Sequence, residues 1–151
     1  MVESSQKHVD AYVALVRLAD RMHSEVSSGL LLCGLTATQF STLKVLRMNG
    51  ELTQREIAKL VLKTEGNLTQ VLDRLEALGY IQRARSETDR RQSRVSLTDL
   101  GAEVFDREYP DHLSRIQSVM GAYTVEECEM LLELLAKSTE EDPSTCPISA
   151  N

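Results

Sequence analysis

Two helix starts of the same design, set close together, constrain this chain more than any other feature. In Leu35-Thr36-Ala37-Thr38-Gln39-Phe40, Thr36 serves as a cap, Gln39 reaches back to it, and Leu35 packs on Phe40. Leu52-Thr53-Gln54-Arg55-Glu56-Ile57 repeats the device with Thr53, Glu56 and the pair Leu52 and Ile57. Leu43 and Leu46 carry the first apolar stripe up to Asn49-Gly50, where it stops. The second helix is short and ends near Leu62. A third start follows at Thr64, and Leu68, Val71, Leu72, Leu75 and Leu78 form one apolar face that Gly79 closes. Two short helices joined by a tight connection form a helix-turn-helix.

After Gly79 the period changes from helical to alternating. Tyr80 to Arg85 and Ser93 to Leu97 read as strands, and the polar stretch Ser86-Glu87-Thr88-Asp89-Arg90-Arg91-Gln92 between them reads as the charged tip of a hairpin. On either side lie helices. Val9, Val13, Val16, Met22 and Val26 give a long one over residues 9–32. Thr98-Asp99-Leu100-Gly101 opens another through Val104, Phe105, Leu113, Ile116, Val119 and Met120, which Pro110 is expected to kink or break. Thr124-Val125-Glu126-Glu127 caps the last helix, with Val125, Cys128, Leu131, Leu132 and Leu135 on one face; Cys128 is expected in the core. The tail, residues 139–151, reads as flexible. The fold class is therefore mainly α with a small β-hairpin wing, a single domain over residues 1–151 with a winged helix-turn-helix at 35–98.

The net charge of −6 argues against a protein that meets phosphate, but its distribution does not. The net is zero over residues 1–52, +3 over 53–94 and −9 over 95–151, with Arg83, Arg85, Arg90, Arg91 and Arg94 densest in the positive segment. Screening removes distant charge within about 8 to 10 Å at cellular salt, so a phosphate responds to the local excess. The face of the third helix opposite its apolar stripe adds chemistry. Asn67 and Gln70 suit bidentate pairing with adenine, Thr69 suits a thymine methyl, and Arg74 suits a phosphate or a guanine. Gly66 lets a phosphate approach the positive helix N-terminus. Arg90, Arg91 and Arg94 on the hairpin have the reach of a neighbouring minor groove.

The run from Leu35 to Gly101 resembles the MarR family of bacterial regulators. The likeness rests on LTATQFSTLKVL, on LTQREIAKLVLKTEGNLTQVLDRLEALGYIQR, and on ETDRRQSRVSLTDLG, where Asp89 and Arg91 match the family's Asp-x-Arg wing pattern ahead of Leu97-Thr98. The resemblance implies a homodimer joined through residues 1–34 and 99–138, and a sequence-specific regulator, usually a repressor, of double-stranded DNA with a pseudopalindromic site. It implies that the helix from Thr64 enters the major groove and Arg91 the minor groove, with Asp89 orienting its neighbours; the expected DNA-binding residues are then Thr53, Gln54, Thr64, Gly66, Asn67, Thr69, Gln70, Arg74, Arg90, Arg91 and Arg94. Many relatives respond to small aromatic acids or oxidants, so a small-molecule effector of unknown identity belongs to the expectation; no cofactor does.

Other chemistries find less support. Cys33, Cys128 and Cys146 are too widely spaced for a zinc site or a disulfide framework, and no metal site is expected from Cys33 with Glu25 and His112. Cys33 is the candidate redox residue, weighed against a small buried apolar role. His8, His23 and His112 fall in different helices without a nucleophile motif, which argues against an enzyme. The first residues show no signal-peptide pattern and no apolar run spans a bilayer, so the expected location is the cytoplasm, with no membrane partner. The alternative function is a winged-helix protein-interaction module that does not bind DNA specifically; such a module has no need of Asn67, Gln70 and Arg91.

Overall fold

A computed structural model describes residues 2–61, 65–85 and 93–137. Among the described residues, six helices and three strands run in the order α1 (Val2–Leu32), α2 (Ala37–Asn49), β1 (Leu52–Thr53), α3 (Gln54–Leu60), α4 (Glu65–Ala77), β2 (Ile81–Arg85), β3 (Ser93–Leu97), α5 (Asp99–Met120) and α6 (Val125–Ala136). Thr36, Thr53 and Thr124 each form a complete capping box, with Gln39, Glu56 and Glu127 reaching back to the cap backbone. Leu35 and Phe40 are both buried, as a staple between them requires.

The strands form one antiparallel sheet in the order β1-β3-β2. The β2–β3 ladder runs from Ile81 opposite Leu97 to Arg85 opposite Ser93. The two-residue strand β1 adds Leu52 opposite Val95 and Thr53 opposite Arg94, a third strand that the alternating pattern did not announce. One core lies behind the sheet and helices. Leu30 of α1 and Leu35 of the connection after it close it from one side, Phe40, Leu43 and Leu46 fill it from α2, and Ile57 and Ala58 from α3. Leu68, Leu72 and Leu75 enter from α4, Ile81 and Val95 from the sheet, and Val104 and Phe105 from α5. Phe40 and Phe105 stack with centroids 5.2 Å apart, and Tyr109 continues the stack 4.9 Å from Phe105.

Two expectations are corrected. Pro110 does not break the helix, one of the two outcomes expected of it: it lies inside α5, which is continuous from Asp99 to Met120. Packing supplies the reason: α5 is held by the core through Val104 and Phe105 on one side of the proline and lies against α1 on the other. Asp106, one turn before Pro110, is clamped by Arg47 of α2 through two hydrogen bonds of 3.0 and 3.1 Å. Cys128 is half-buried rather than core, and no residue of α6 is buried within the protomer.

The junction of α4, the sheet and α5 is unusually close. Gly79, with φ at 75°, turns the chain from α4 into β2. The Thr98 hydroxyl donates to the Gly79 carbonyl at 2.6 Å and accepts from the Gly101 N–H at 3.1 Å, while the Thr98 N–H donates to the Tyr80 carbonyl at 3.1 Å. A β-carbon on Gly101 would fall 1.9 Å from the Tyr80 carbonyl oxygen, so only glycine lets α5 start here.

Outside the core, α1, α5 and α6 leave large apolar side chains in solvent. Val9, Tyr12 and Leu15 on α1, Leu113 and Ile116 on α5, and Met130, Leu132 and Leu134 on α6 are all exposed. A shallow apolar groove of about 220 Å³ runs between α1 and α5, lined by Met22, His23, Val26, Ile116, Val119 and Met120. Among the described residues no single helix is long and apolar enough to cross a membrane.

Candidate DNA interface

Helix α4 presents two faces because its apolar residues fall at helical spacing. Leu68, Leu72 and Leu75 are buried to the last side-chain atom and Val71 is half-buried, which fixes the helix on the core. Asn67, Thr69, Gln70 and Arg74 are exposed together on the other side. These are the residues expected to meet DNA, and the structure sets them on one outward surface. Gly66 lies in the first turn of α4. Thr64, Asp89, Arg90 and Arg91 lie outside the described residues.

Helix α3 braces α4 through a side-chain bond. Gln54, the first residue of α3, donates from Nε2 to the Thr69 hydroxyl at 2.7 Å. Thr53 is committed to its capping box: its hydroxyl accepts from the Glu56 N–H and donates to Glu56 Oε2 at 2.8 Å, and its N–H donates to the same oxygen at 2.7 Å. Those two donors hold the Glu56 carboxyl below the usual carboxylate range.

The arginines of the hairpin differ in their surroundings. Arg83 on β2 reaches back to α4, with Nη2 at 2.7 Å from Asp73 and Nη1 at 3.4 Å from Glu76. It ties the sheet to α4, a role that the count of positive charges could not distinguish from phosphate contact. Arg94 on β3 is engaged as well. Its Nε lies 2.6 Å from Glu51 Oε1, and its Nη2 donates to the Glu51 carbonyl at 3.1 Å. Sequence reasoning missed Glu51; only the pairing of β1 with β3 brings it to Arg94.

Cys33 sits at the end of α1, half-buried, with its thiol 3.5 Å from the Gly29 carbonyl. Burial and then the neighbouring Glu108 carboxylate push its pKa up, which keeps the thiol protonated. His112 lies half-buried against the Phe40 ring at 4.7 Å, with no hydrogen-bond partner for its buried Nδ1. Burial lowers its pKa, and the Lys44 and Arg115 cations lower it further.

A helix pair whose second member shows an outward polar face, followed by a hairpin wing, defines a winged helix-turn-helix of the DNA-binding kind. Comparison with known proteins agrees. Residues 34–92 match the MarR family model. The transcriptional regulator MhqR of Bacillus subtilis is 27% identical over 133 residues, covering 88% of this chain and 92% of the relative. The regulator YkoM of the same organism, itself uncharacterized, is 33% identical over 105 residues, covering 70% of this chain and 68% of its own length. Among solved structures, a cysteine-to-serine mutant of MarR from E. coli complexed with operator DNA superposes with a TM-score of 0.80 at 25% identity, over 87% of this chain and 95% of that one. The chain belongs to the MarR family and is a DNA-binding transcription regulator.

Proposed function

We propose that the protein represses transcription as a twofold homodimer at a pseudopalindromic site in double-stranded DNA. Each protomer lays α4 in a major groove and its wing in the adjoining minor groove. The observation that carries this reading is the exposed polar face of α4, Asn67, Thr69, Gln70 and Arg74, backed by fully buried leucines beside the hairpin. Asn67 and Gln70 read base edges. Arg74 and the wing arginines Arg90 and Arg91 supply charge to the backbone and the narrow groove, with Asp89 orienting its neighbours. The similarity to MarR bound to operator DNA supports the same docking. The apolar residues left exposed on α1, α5 and α6 support the dimer. Cys33, with its thiol pKa raised by burial, acts in packing rather than as a redox sensor. The protein is not an enzyme, works in the cytoplasm and needs no cofactor.

Selection of bound sequences from random duplex DNA tests the reading. A pseudopalindrome with half-sites centred about 10 base pairs apart is the expected result. Gln70→Ala or Asn67→Ala should then cost roughly 1 to 3 kcal/mol on that sequence and relax preference at one position. Enrichment of no sequence, with retention on DNA insensitive to salt, would point instead to a protein-interaction module. Small aromatic acids added to the same assay test for an effector, and a reporter placed behind the enriched site tests for repression.

A further inference from the structure

We propose that Arg94 does not contact DNA but joins Glu51 in a strut that sets the position of the wing against the helix-turn-helix. Glu51 is thereby a positioning residue for DNA binding. The inference rests on the reading that the wing meets DNA. Three observations support it. The first is the form of the contact. The Arg94 guanidinium makes two bonds to one residue, Nε to the Glu51 carboxylate at 2.6 Å and Nη2 to the Glu51 backbone carbonyl at 3.1 Å. Two-point attachment fixes the plane of a guanidinium as one contact cannot.

The second is where the contact lies. β1 is only two residues long, and its ladder to β3 consists of Leu52 opposite Val95 and Thr53 opposite Arg94. Glu51 is the residue just before β1, and α3 begins directly after it. The strut therefore extends a very short ladder by a side-chain link. It connects the strand that carries the wing to the start of the helix-turn-helix. An exposed ion pair adds little to overall stability, so its geometry is a better reason for it than its energy.

The third is the local charge. A phosphate ligand should present positive potential, yet Arg94 has Glu51 in contact and Glu56 close enough for each to feel the other's charge. Arg74, which stands on the exposed face of α4, is better placed to receive phosphate. Removing Glu51 therefore separates the two roles by sign. If Arg94 were a phosphate ligand, losing its acidic partner would release the cation and tighten binding. If Arg94 is a strut, the same loss should loosen the wing and weaken binding.

The test is binding to a labelled duplex carrying the enriched sequence, titrated with salt, for Glu51→Ala, Arg94→Ala, the double variant, and the charge exchange Glu51→Arg with Arg94→Glu. The strut predicts that each single change weakens binding by about tenfold, that the double variant binds no worse than either, and that the exchange recovers most of the loss. Thermal unfolding should move little, which sets the effect apart from a general loss of fold. If Glu51→Ala does not fold, Glu51→Met takes its place, because it keeps the aliphatic length and removes the carboxylate that Arg94 bonds. Unchanged or tighter binding by the Glu51 variant overturns the strut. So do losses that add in the double variant, or an Arg94→Ala salt slope shallower by about one unit with Glu51→Ala neutral. Arg91→Ala in parallel isolates the parent reading: if it leaves binding intact, the wing itself is out of the mechanism, whatever the Glu51 variants do.

Discussion

His112 illustrates how a single residue can make this fold sensitive to acid. Its ring lies on Phe40, its buried Nδ1 has no partner, and Lys44 and Arg115 both oppose a further positive charge. The folded protein therefore favours the neutral ring, with a pKa below the ordinary histidine value of about 6.5. An unfolded chain binds the proton first as pH falls. Stability contributed by the neutral ring is thus present above about pH 6.5, declines below it, and is lost once pH passes the lowered value. Denaturant unfolding across that range should show the decline, and His112→Gln should flatten it; a pH profile unchanged by the substitution would remove His112 as the cause. Cys33 gives a second residue-scale prediction. With its thiol kept protonated beside Glu108, peroxide should leave DNA affinity unchanged. Cys33→Ser should lower stability by about 1 kcal/mol while binding in reducing buffer is retained. A peroxide-sensitive wild type with an insensitive Cys33→Ser variant would reverse that assignment.

Among the elements, α5 carries the sharpest expectation. Pro110 has no N–H for the Asp106 carbonyl one turn back, and a proline in a helix interior costs about 3 kcal/mol relative to alanine. Since α5 is continuous around it, Pro110→Ala should fit and raise the unfolding midpoint, by an amount equivalent to about 1 to 3 kcal/mol. A lower midpoint would mean that the proline's shape is itself needed there. The same helix marks the boundary of what the sequence makes legible. Local chemistry was readable: the capping boxes at Thr36, Thr53 and Thr124, the buried stripe Leu68, Leu72 and Leu75, and the strand Ser93–Leu97 all depend on neighbours within a few residues. Tertiary effects were not. Packing against α1 and the core overrides Pro110, β1 is too short to alternate, and the partners of Arg83 and Arg94 are set by which elements touch. The polar face of α4 was visible because periodicity alone divides it from the leucines; the wing tip, with Asp89, Arg90 and Arg91, is a sequence expectation outside the described residues.

At the scale of the whole molecule, the uneven distribution of apolar surface points outward from the protomer. Leu132 on α6 is 64% exposed and Leu15 on α1 is 48% exposed, on helices that the winged helix does not cover. A second copy meeting these faces would bury them and align two α4 helices with one side of a duplex. Leu132→Glu together with Leu15→Glu should yield monomers by sedimentation and lower affinity for the enriched site at least about tenfold, because each half-site must then bind alone. A double variant that remains dimeric would place the interface elsewhere. The close junction at Thr98, Gly79 and Gly101 has a consequence for how such a molecule can change over generations. It welds the reading lobe to the first turn of α5, while the far half of that helix runs along α1. One residue inserted between 106 and 112 would swing the lobe through about 100° and shift it about 1.5 Å along the axis. If α4 reads bases as proposed, point substitutions in it would retune which bases are preferred, whereas a residue gained or lost in α5 would mismatch the phase of the DNA helix. Its length is a ruler, and lineages carrying this fold should change the exposed letters of that segment more readily than its count.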